Sequence, residues 1–441
     1  MFDLLIHGRI VQEHRLVESY ICIDDGIIRD IKRTDPGSGQ FGSRINAGRS
    51  VIFPGGIDLH THMRDPGMEG KEDFHTGTLS AAFGGVTAIV DMPNTIPPTE
   101  NSANFKAKKE IALKKSCIDF GINLVVTNGS DLSSYLDVYK DPAFAGFKVF
   151  LGETTGSLVL DNVQMIEMNL KLLARLKRPV SIHAEEGSYL NTSPKGGSGI
   201  LQEHLESRPP IAEVAAMEKM SRVMGNHTKL LHFLHVSSLM GVERASVTDS
   251  TIEVTPHHLL LDVKKCEKGL EEQSFAKVNP PIRNPSDRAA LWKHLINGRV
   301  DTIGSDHAPH ELSSKLSDQP PSGIPGVETM IPLMLWKVRE GSISLERFIE
   351  LVSINPARRV KTRFRGSITR GSYADLFMAD IKDEKKIRGE NLHSKCGWTP
   401  FEGMSGIFPN KVISRGELII EDEQFCSRSG RGRAIREEPN I

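Results

Sequence analysis

Pro54-Gly55-Gly56-Ile57-Asp58-Leu59-His60-Thr61-His62-Met63-Arg64 opens the part of the chain whose reading decides the fold. Before it, residues 1–53 are β-rich, with apolar runs at 4–6 and 20–23 split by the turn signals Asp24-Asp25-Gly26 and Pro36-Gly37. From Gly56 onward, short apolar, β-branched runs recur, each followed by a segment of helical spacing. They fall at 56–59, 86–91, 121–126, 146–151, 179–183, 230–236, 251–254 and 300–304, with helical patterns such as 211–224 and 289–296 between them. Eight strand–helix repeats over roughly 310 residues are what a (β/α)8 barrel requires. A doubly wound open sheet is the rival architecture. From about Arg365 the β texture returns, at 366–368, 375–378, 411–414 and 417–420. The expectation is an α/β protein: a TIM-like (β/α)8 barrel over 54–364, beside a small β-sandwich domain built from both termini, 1–53 and 365–441. The basic, Gly-rich stretch 427–433 reads as a frayed tail.

The 441 residues carry 55 Lys plus Arg against 56 Asp plus Glu, a formal net charge of −1. That balance argues against a protein that coats nucleic acid or anionic membrane. No apolar run reaches the length of a membrane span, and the start MFDLLIHGRI lacks the layout of a signal peptide. Five cysteines (Cys22, Cys117, Cys266, Cys396, Cys426) lie far apart without a CxxC, which reads as a reduced, cytoplasmic protein.

The chemistry-bearing residues fall at strand ends. His60 and His62, two apart at the end of the first barrel strand, share a face, and imidazole suits Zn²⁺ and similar metals. Alone, such a pair marks two surface histidines more often than a metal site. Lys148 sits inside the fourth apolar run, His183 closes the fifth, His235 the sixth, and Asp306 follows the eighth in Gly304-Ser305-Asp306-His307-Ala308-Pro309-His310. Barrel active sites collect side chains at the carboxyl ends of strands, and five strands supplying ligand types is a poor match to coincidence. A lysine in an apolar strand is costly as an ammonium, so it is paired, snorkelled or chemically altered. A deprotonated amine there can take up CO₂ as a carbamate, which behaves as a carboxylate. A salt-bridged barrel lysine is the equal alternative.

This set of motifs resembles the cyclic amidohydrolases and, within them, the dihydroorotases, over nearly the whole chain from Pro54–Arg64 to Trp398-Thr399-Pro400-Phe401-Glu402-Gly403. The resemblance implies two divalent metal ions, usually zinc, in the barrel. His60 and His62 would bind one and His183 and His235 the other, with Lys148 as a CO₂-derived carboxylate bridge and Asp306 as ligand and general base. It implies a small-molecule substrate, N-carbamoyl-L-aspartate or L-dihydroorotate, and a homodimer. Substrate contacts carried over by motif are Arg64 to the α-carboxylate, Asn94 in Met-Pro-Asn-Thr, Asn279, His310, and the backbone of Ser322-Gly323. Hydantoinase-type relatives share the ligands but typically lack an arginine at the position of Arg64.

Two rivals follow. One is another cyclic amidohydrolase, an allantoinase or a hydantoinase/dihydropyrimidinase. The other is an inactive, metal-poor barrel that scaffolds a carbamoyltransferase. His257 and His258 read as residues shaping the loop after the seventh strand, and Glu253 as a partner behind the ligands or half of a buried ion pair.

Overall fold

The computed structural model describes residues 2–37, 41–130, 133–152, 158–191 and 199–439. Four strands come first: β1 (Phe2–Gln12), β2 (Arg15–Asp24), β3 (Ile27–Lys32) and β4 (Phe41–Pro54). Eight more follow at the expected places: β5 (Gly56–Thr61), β6 (Val86–Asp91), β7 (Asp119–Val126), β8 (Phe144–Phe150), β9 (Val180–His183), β10 (Leu231–Phe233), β11 (Thr251–Val254) and β12 (Thr302–Ile303). These eight pair in strict chain order. Every neighbouring pair is parallel. The ring closes where Thr61 bridges His307 in parallel and the His62 amide donates to the His307 carbonyl at 2.8 Å. Chain-order pairing with closure is the barrel; a doubly wound sheet would reverse its order partway.

The runs are continuous rather than alternating because these strands are buried on both faces. Every residue of β6 and β7 is buried. Outward side chains such as Ile89, Phe120, Ile122, Leu124 and Phe147 pack in the main core with the helices. Inside the barrel, Ile57, Leu59, Ala88, Val90 and Ala145 form a separate apolar cluster with Ala357, Val360 and Ile435. That cluster fills the barrel interior, leaving the polar side chains to its carboxyl end.

The remaining strands are β13 (Leu376–Ala379), β14 (Lys385–Lys386), β15 (Ser405–Gly406), β16 (Lys411–Ser414), β17 (Glu417–Glu421) and β18 (Gln424–Phe425). Apart from the β14–β15 ribbon, they join β1–β4 in one eight-stranded sheet, ordered β18-β17-β16-β13-β4-β1-β2-β3. One core spans both chain ends, with Ile6, Ile21, Ile28 and Ile52 against Leu376, Met378 and Ile413. The sheet folds back on itself around that core: Ile27 bridges Tyr373, and a Cβ on Gly26 would meet the Arg415 carbonyl at 2.6 Å. The chain passes from this sheet to the barrel within two residues. Gly55 donates to Asp375 O at 2.8 Å and Gly56 to Gly85 O at 3.0 Å. No side chain fits at the crossing, since a Cβ on Gly55 would meet Thr87 Oγ1 at 2.2 Å.

Two expectations need correction. Residues 366–368 form no strand, 366–367 being a bend, because Gly366 takes φ +81° where its backbone lies against Ser353. The tail is not frayed. Phe120 and Ala434 form a parallel bridge, the Arg433 amide donates to Asp119 Oδ1 at 2.8 Å, and Arg431, Ala434 and Ile435 are buried. Asp119 also pairs with Arg365 and Arg415. The terminal segment therefore plugs the amino-terminal end of the barrel, opposite the polar end.

Candidate active site

The six candidate ligands converge. His60, His62, Lys148, His183, His235 and Asp306 all line one small pocket at the carboxyl ends of the barrel strands. Ligand atoms of His60, His235 and Asp306 lie within 4.8 Å of one another. The β5–β6 register shifts between Asp58 and Thr61, and past Leu59 both His60 and His62 line the pocket. The Asp58 carboxylate accepts from the backbone N–H of His60 at 3.0 Å and of Ser305 at 3.2 Å, pinning β5 to the chain that carries Asp306.

Three of the four imidazoles are oriented from behind. His60 Nδ1 lies 2.8 Å from Glu253 Oε1, which turns its Nε2 to 3.2 Å from Asp306 Oδ1. His62 Nδ1 lies 2.6 Å from Asn94 Oδ1, leaving its Nε2 3.3 Å from the same Asp306 oxygen. His183 Nε2 is 2.7 Å from Glu185, itself paired with Arg208, so His183 Nδ1 faces the pocket, 2.9 Å from His235 Nε2. A carboxylate or carbonyl on the far nitrogen is how proteins select the tautomer of a ligating histidine. Glu253 is such a partner, not half of an isolated ion pair. The Glu185–Arg208 pair behind His183 had no sequence signal beyond Glu185 standing two residues after His183.

Burial sets the protonation states. It lowers the imidazoles of His60, His62 and His235 well below their ordinary value and also lowers His183, so all four offer lone pairs at neutral pH. Lys148 is buried at 1% exposure, its Nζ 4.7 Å from the Phe150 ring centroid. Desolvation pushes its amine down to about 7, opposed by the charges of Asp306 and Glu253. Among the described residues no carboxylate lies within ion-pair distance of it, so it is not the salt-bridged barrel lysine. Clustered neutral imidazoles, a carboxylate and an easily deprotonated amine fit a divalent metal centre. The buried His235 Nδ1 has no hydrogen-bond partner among the described residues.

The other predicted residues surround this centre. Arg64, Asn94, Asn279, Ser322 and Gly323 line the pocket, and His310 stands behind Gly323, its Nε2 3.1 Å from Ser322 O. Asn94 spends its carbonyl on His62, which leaves its amide N–H groups for a ligand. Arg64 is 2% exposed, its Nε without a partner, and no carboxylate among the described residues is within ion-pair distance of it. Burial lowers its guanidinium from the ordinary value, opposed by the charges of Asp306 and Asp91. Three residues of the site, Arg64 (φ +60°), His235 (φ +37°) and Asp306 (φ +46°), hold left-handed backbone, uncommon outside glycine. A larger cavity of about 1220 Å³ shares Asn279 and Ser322 with the pocket. His257 and His258 are buried and line neither cavity; His258 Nε2 lies 3.1 Å from Pro280 O, beside Asn279.

The amidohydrolase family profile matches residues 51–419, and the chain belongs to the amidohydrolase family. Among curated proteins it is similar to the dihydroorotase of Methanosarcina acetivorans, 36% identical over 96% of this chain and 93% of the relative. It is likewise similar to the dihydroorotase of Pyrococcus furiosus, 33% identical over 98% and 96%. Among solved structures it superposes on an L-hydantoinase (dihydropyrimidinase) from Arthrobacter aurescens with TM-score 0.91 and 27% identity, covering 99% of this chain and all of that one. A dihydropyrimidinase from Brevibacillus agri gives 0.90 and 29%, covering 99% of each chain. No described helix is long and apolar enough to cross a membrane.

Proposed function

We infer that the chain is a dihydroorotase, interconverting N-carbamoyl-L-aspartate and L-dihydroorotate in de novo pyrimidine (UMP) biosynthesis. The observation that carries the choice within the family is Arg64: a buried guanidinium, with no carboxylate at ion-pair distance among the described residues, beside converging metal-ligand types. Such a group is completed by an anionic ligand, and its planar fork matches a carboxylate bidentately. The hydantoinase or allantoinase reading gives Arg64 no such partner, because those rings carry no carboxylate. The dihydroorotase relatives at 33–36% identity support the same choice. The presence of all six ligand candidates in one pocket speaks against an inactive scaffold for a carbamoyltransferase.

In this reading His60 and His62 with Asp306 hold one divalent cation, and His183 and His235 the second. Lys148, once it carried CO₂ as a carbamate, would supply an anionic oxygen donor to the centre. We assign zinc from the imidazole and carboxylate donor set. The chemistry such cations would supply there is activation of water at neutral pH and polarisation of the carbonyl under attack. Asp306 takes the proton from the attacking water and delivers it to the departing ring nitrogen. In the direction of ring closure the ureido nitrogen attacks the protonated side-chain carboxyl, and Asp306 receives the nitrogen's proton and hands it to the departing hydroxyl, which leaves as water. Arg64 holds the α-carboxylate, while the amides of Asn94 and Asn279 and the Ser322–Gly323 backbone position the ring. His310 buttresses that rim or contacts the carboxylate. Burial, with the Arg64, Lys71 and Lys315 charges, pushes its imidazole down to about 2. Its Nδ1 therefore accepts, and it meets a carboxylate only with a proton taken up on binding.

To the same proposal belong a homodimer, a cytoplasmic setting that suits five unpaired cysteines, and the division into residues 54–364 and the β domain of 1–53 with 365–441. The test is turnover of both substrates by the purified, metal-loaded protein, with Asp306→Asn beside it. Cyclisation of N-carbamoyl-L-aspartate that falls about 10²–10⁴-fold in the variant is the expected result. Activity on allantoin or dihydrouracil but none on dihydroorotate overturns the reading.

A further inference from the structure

Lys315, on the short helix Leu312–Lys315, is fully buried, and no carboxylate among the described residues is within ion-pair distance of it. Its Nζ donates instead to two main-chain carbonyls, Lys277 O at 2.9 Å and Pro321 O at 2.8 Å. The first lies two residues before Asn279, the second one residue before Ser322. The Gly323 amide donates to the same Lys277 carbonyl at 3.0 Å, so the two loops already touch where the lysine joins them. Over the lysine lies Trp398, its ring centroid 5.6 Å from Nζ and its other contacts including a stack on Phe275 at 4.6 Å. The Trp398 indole N–H donates to the His310 carbonyl at 2.9 Å. One amine and one indole therefore tie together three separate loops, those of Asn279, His310 and Ser322–Gly323.

Resting on the dihydroorotase reading, we propose that Lys315 and Trp398 are positioning residues that clamp these three loops into one rigid rim and so set affinity for the substrate ring without touching it. A buried lysine contributes little to stability in its own right, because desolvation offsets its hydrogen bonds. What it does contribute is a tetrahedral donor group able to reach two carbonyls at once. Burial and the nearby Lys277 charge push its amine well below the ordinary value. Both carbonyl bonds survive in either protonation state, since the neutral amine keeps two N–H donors. Trp398 reaches the rim from the segment between β14 and β15, so residues far apart in sequence share the task.

The experiment compares wild type, Lys315→Met and Trp398→Phe, the second keeping an aromatic ring while deleting the donor to His310. Expected in both variants are a KM for dihydroorotate raised about tenfold, kcat within twofold, and unchanged metal content. Amide exchange of residues 277–283 and 320–326 should quicken in Lys315→Met relative to the barrel strands. If Lys315→Met fails to fold, Trp398→Phe carries the kinetic test and exchange at 308–311 replaces the other. Unchanged KM, or kcat and metal content falling together, overturns the clamp. Exchange is read without substrate, so an inert wild type refutes the dihydroorotase reading, while unaltered exchange in the variants refutes the clamp alone.

Discussion

Glu253 Oε1 on β11 and His60 Nδ1 on β5 stand 2.8 Å apart with both side chains fully buried. The same Glu253 oxygen lies 3.4 Å from the His235 amide, and its other oxygen 3.6 Å from His232 Nε2. One carboxylate thus sets the ring of one candidate ligand and the backbone of another. Glu253→Gln keeps the shape but removes the charge that favours a proton on His60 Nδ1. Expected is a loss of about 10–100-fold in metal affinity or activity, read by metal titration of the stripped protein alongside kcat. A variant that binds metal and turns over as wild type would show that His60 needs no such partner.

The barrel was legible because parallel strands buried on both faces leave continuous apolar runs, and all eight runs are strands. The ligands were legible because each ends such a run. What escaped reading depends on contacts between distant segments. In the helix Pro210–Met224, the apolar pattern of Ile211, Val214, Ala215, Met217 and Val223 finds the core only in part: Met217 is buried and Val223 packs against it, but Ile211 is exposed and Val214 and Ala215 are half-buried. The buried side carries Ala212, Glu213, Ala216, Met217 and Met220. Glu213 is there because it accepts from Ser237 Oγ at 2.6 Å and binds Ser238, which no periodicity encodes. The tail misled for the same reason. Its glycines and arginines have the composition of a free end, yet Asp119 at the foot of β7 and the carbonyls of Cys117 and Ser414 give those arginines buried partners. Lys315 and Trp398 carried no signal beyond a place inside or near recognisable motifs.

Lys148 supplies a prediction about pH. Its amine must be neutral to attack CO₂, and burial holds it at about 7. The neutral form dominates above that value and declines about tenfold for each pH unit below it. Metal-free protein held under a fixed partial pressure of CO₂ should therefore gain one CO₂ faster as pH rises through 7, with the rate levelling above it. Intact-protein mass spectrometry under mild conditions reads the adduct, and Lys148→Met should show none. An active, metal-filled enzyme whose Lys148 is a plain amine would refute carboxylation.

Arg64 separates the dihydroorotase reading from its relatives. A hydrogen bond to a charged group contributes about 1.5–3 kcal/mol, so Arg64→Met should raise KM for dihydroorotate by roughly 10–100-fold, every 1.4 kcal/mol being tenfold. Any residual turnover of dihydrouracil, which lacks the carboxylate, should be unaffected. Steady-state kinetics on the two rings decide it. An equal loss on both would mean that Arg64 supports the metal centre and not the carboxylate.

Ile435 tests the plug at the other end of the barrel. It is fully buried, its amide donates to Phe120 O at 2.8 Å, and its side chain completes the interior cluster with Ile57, Leu59 and Ala145. Cutting a buried isoleucine back to alanine removes apolar contact and leaves a cavity that close-packed neighbours fill only partly, a cost of about 2–5 kcal/mol. Ile435→Ala should lose stability in that range in urea while kcat and metal content stay at wild-type levels, because the catalytic side chains project from the opposite ends of the strands. A tail that merely rests on the surface would give no measurable loss, and a variant that loses metal together with stability would mean that the two ends of the barrel are coupled through its core.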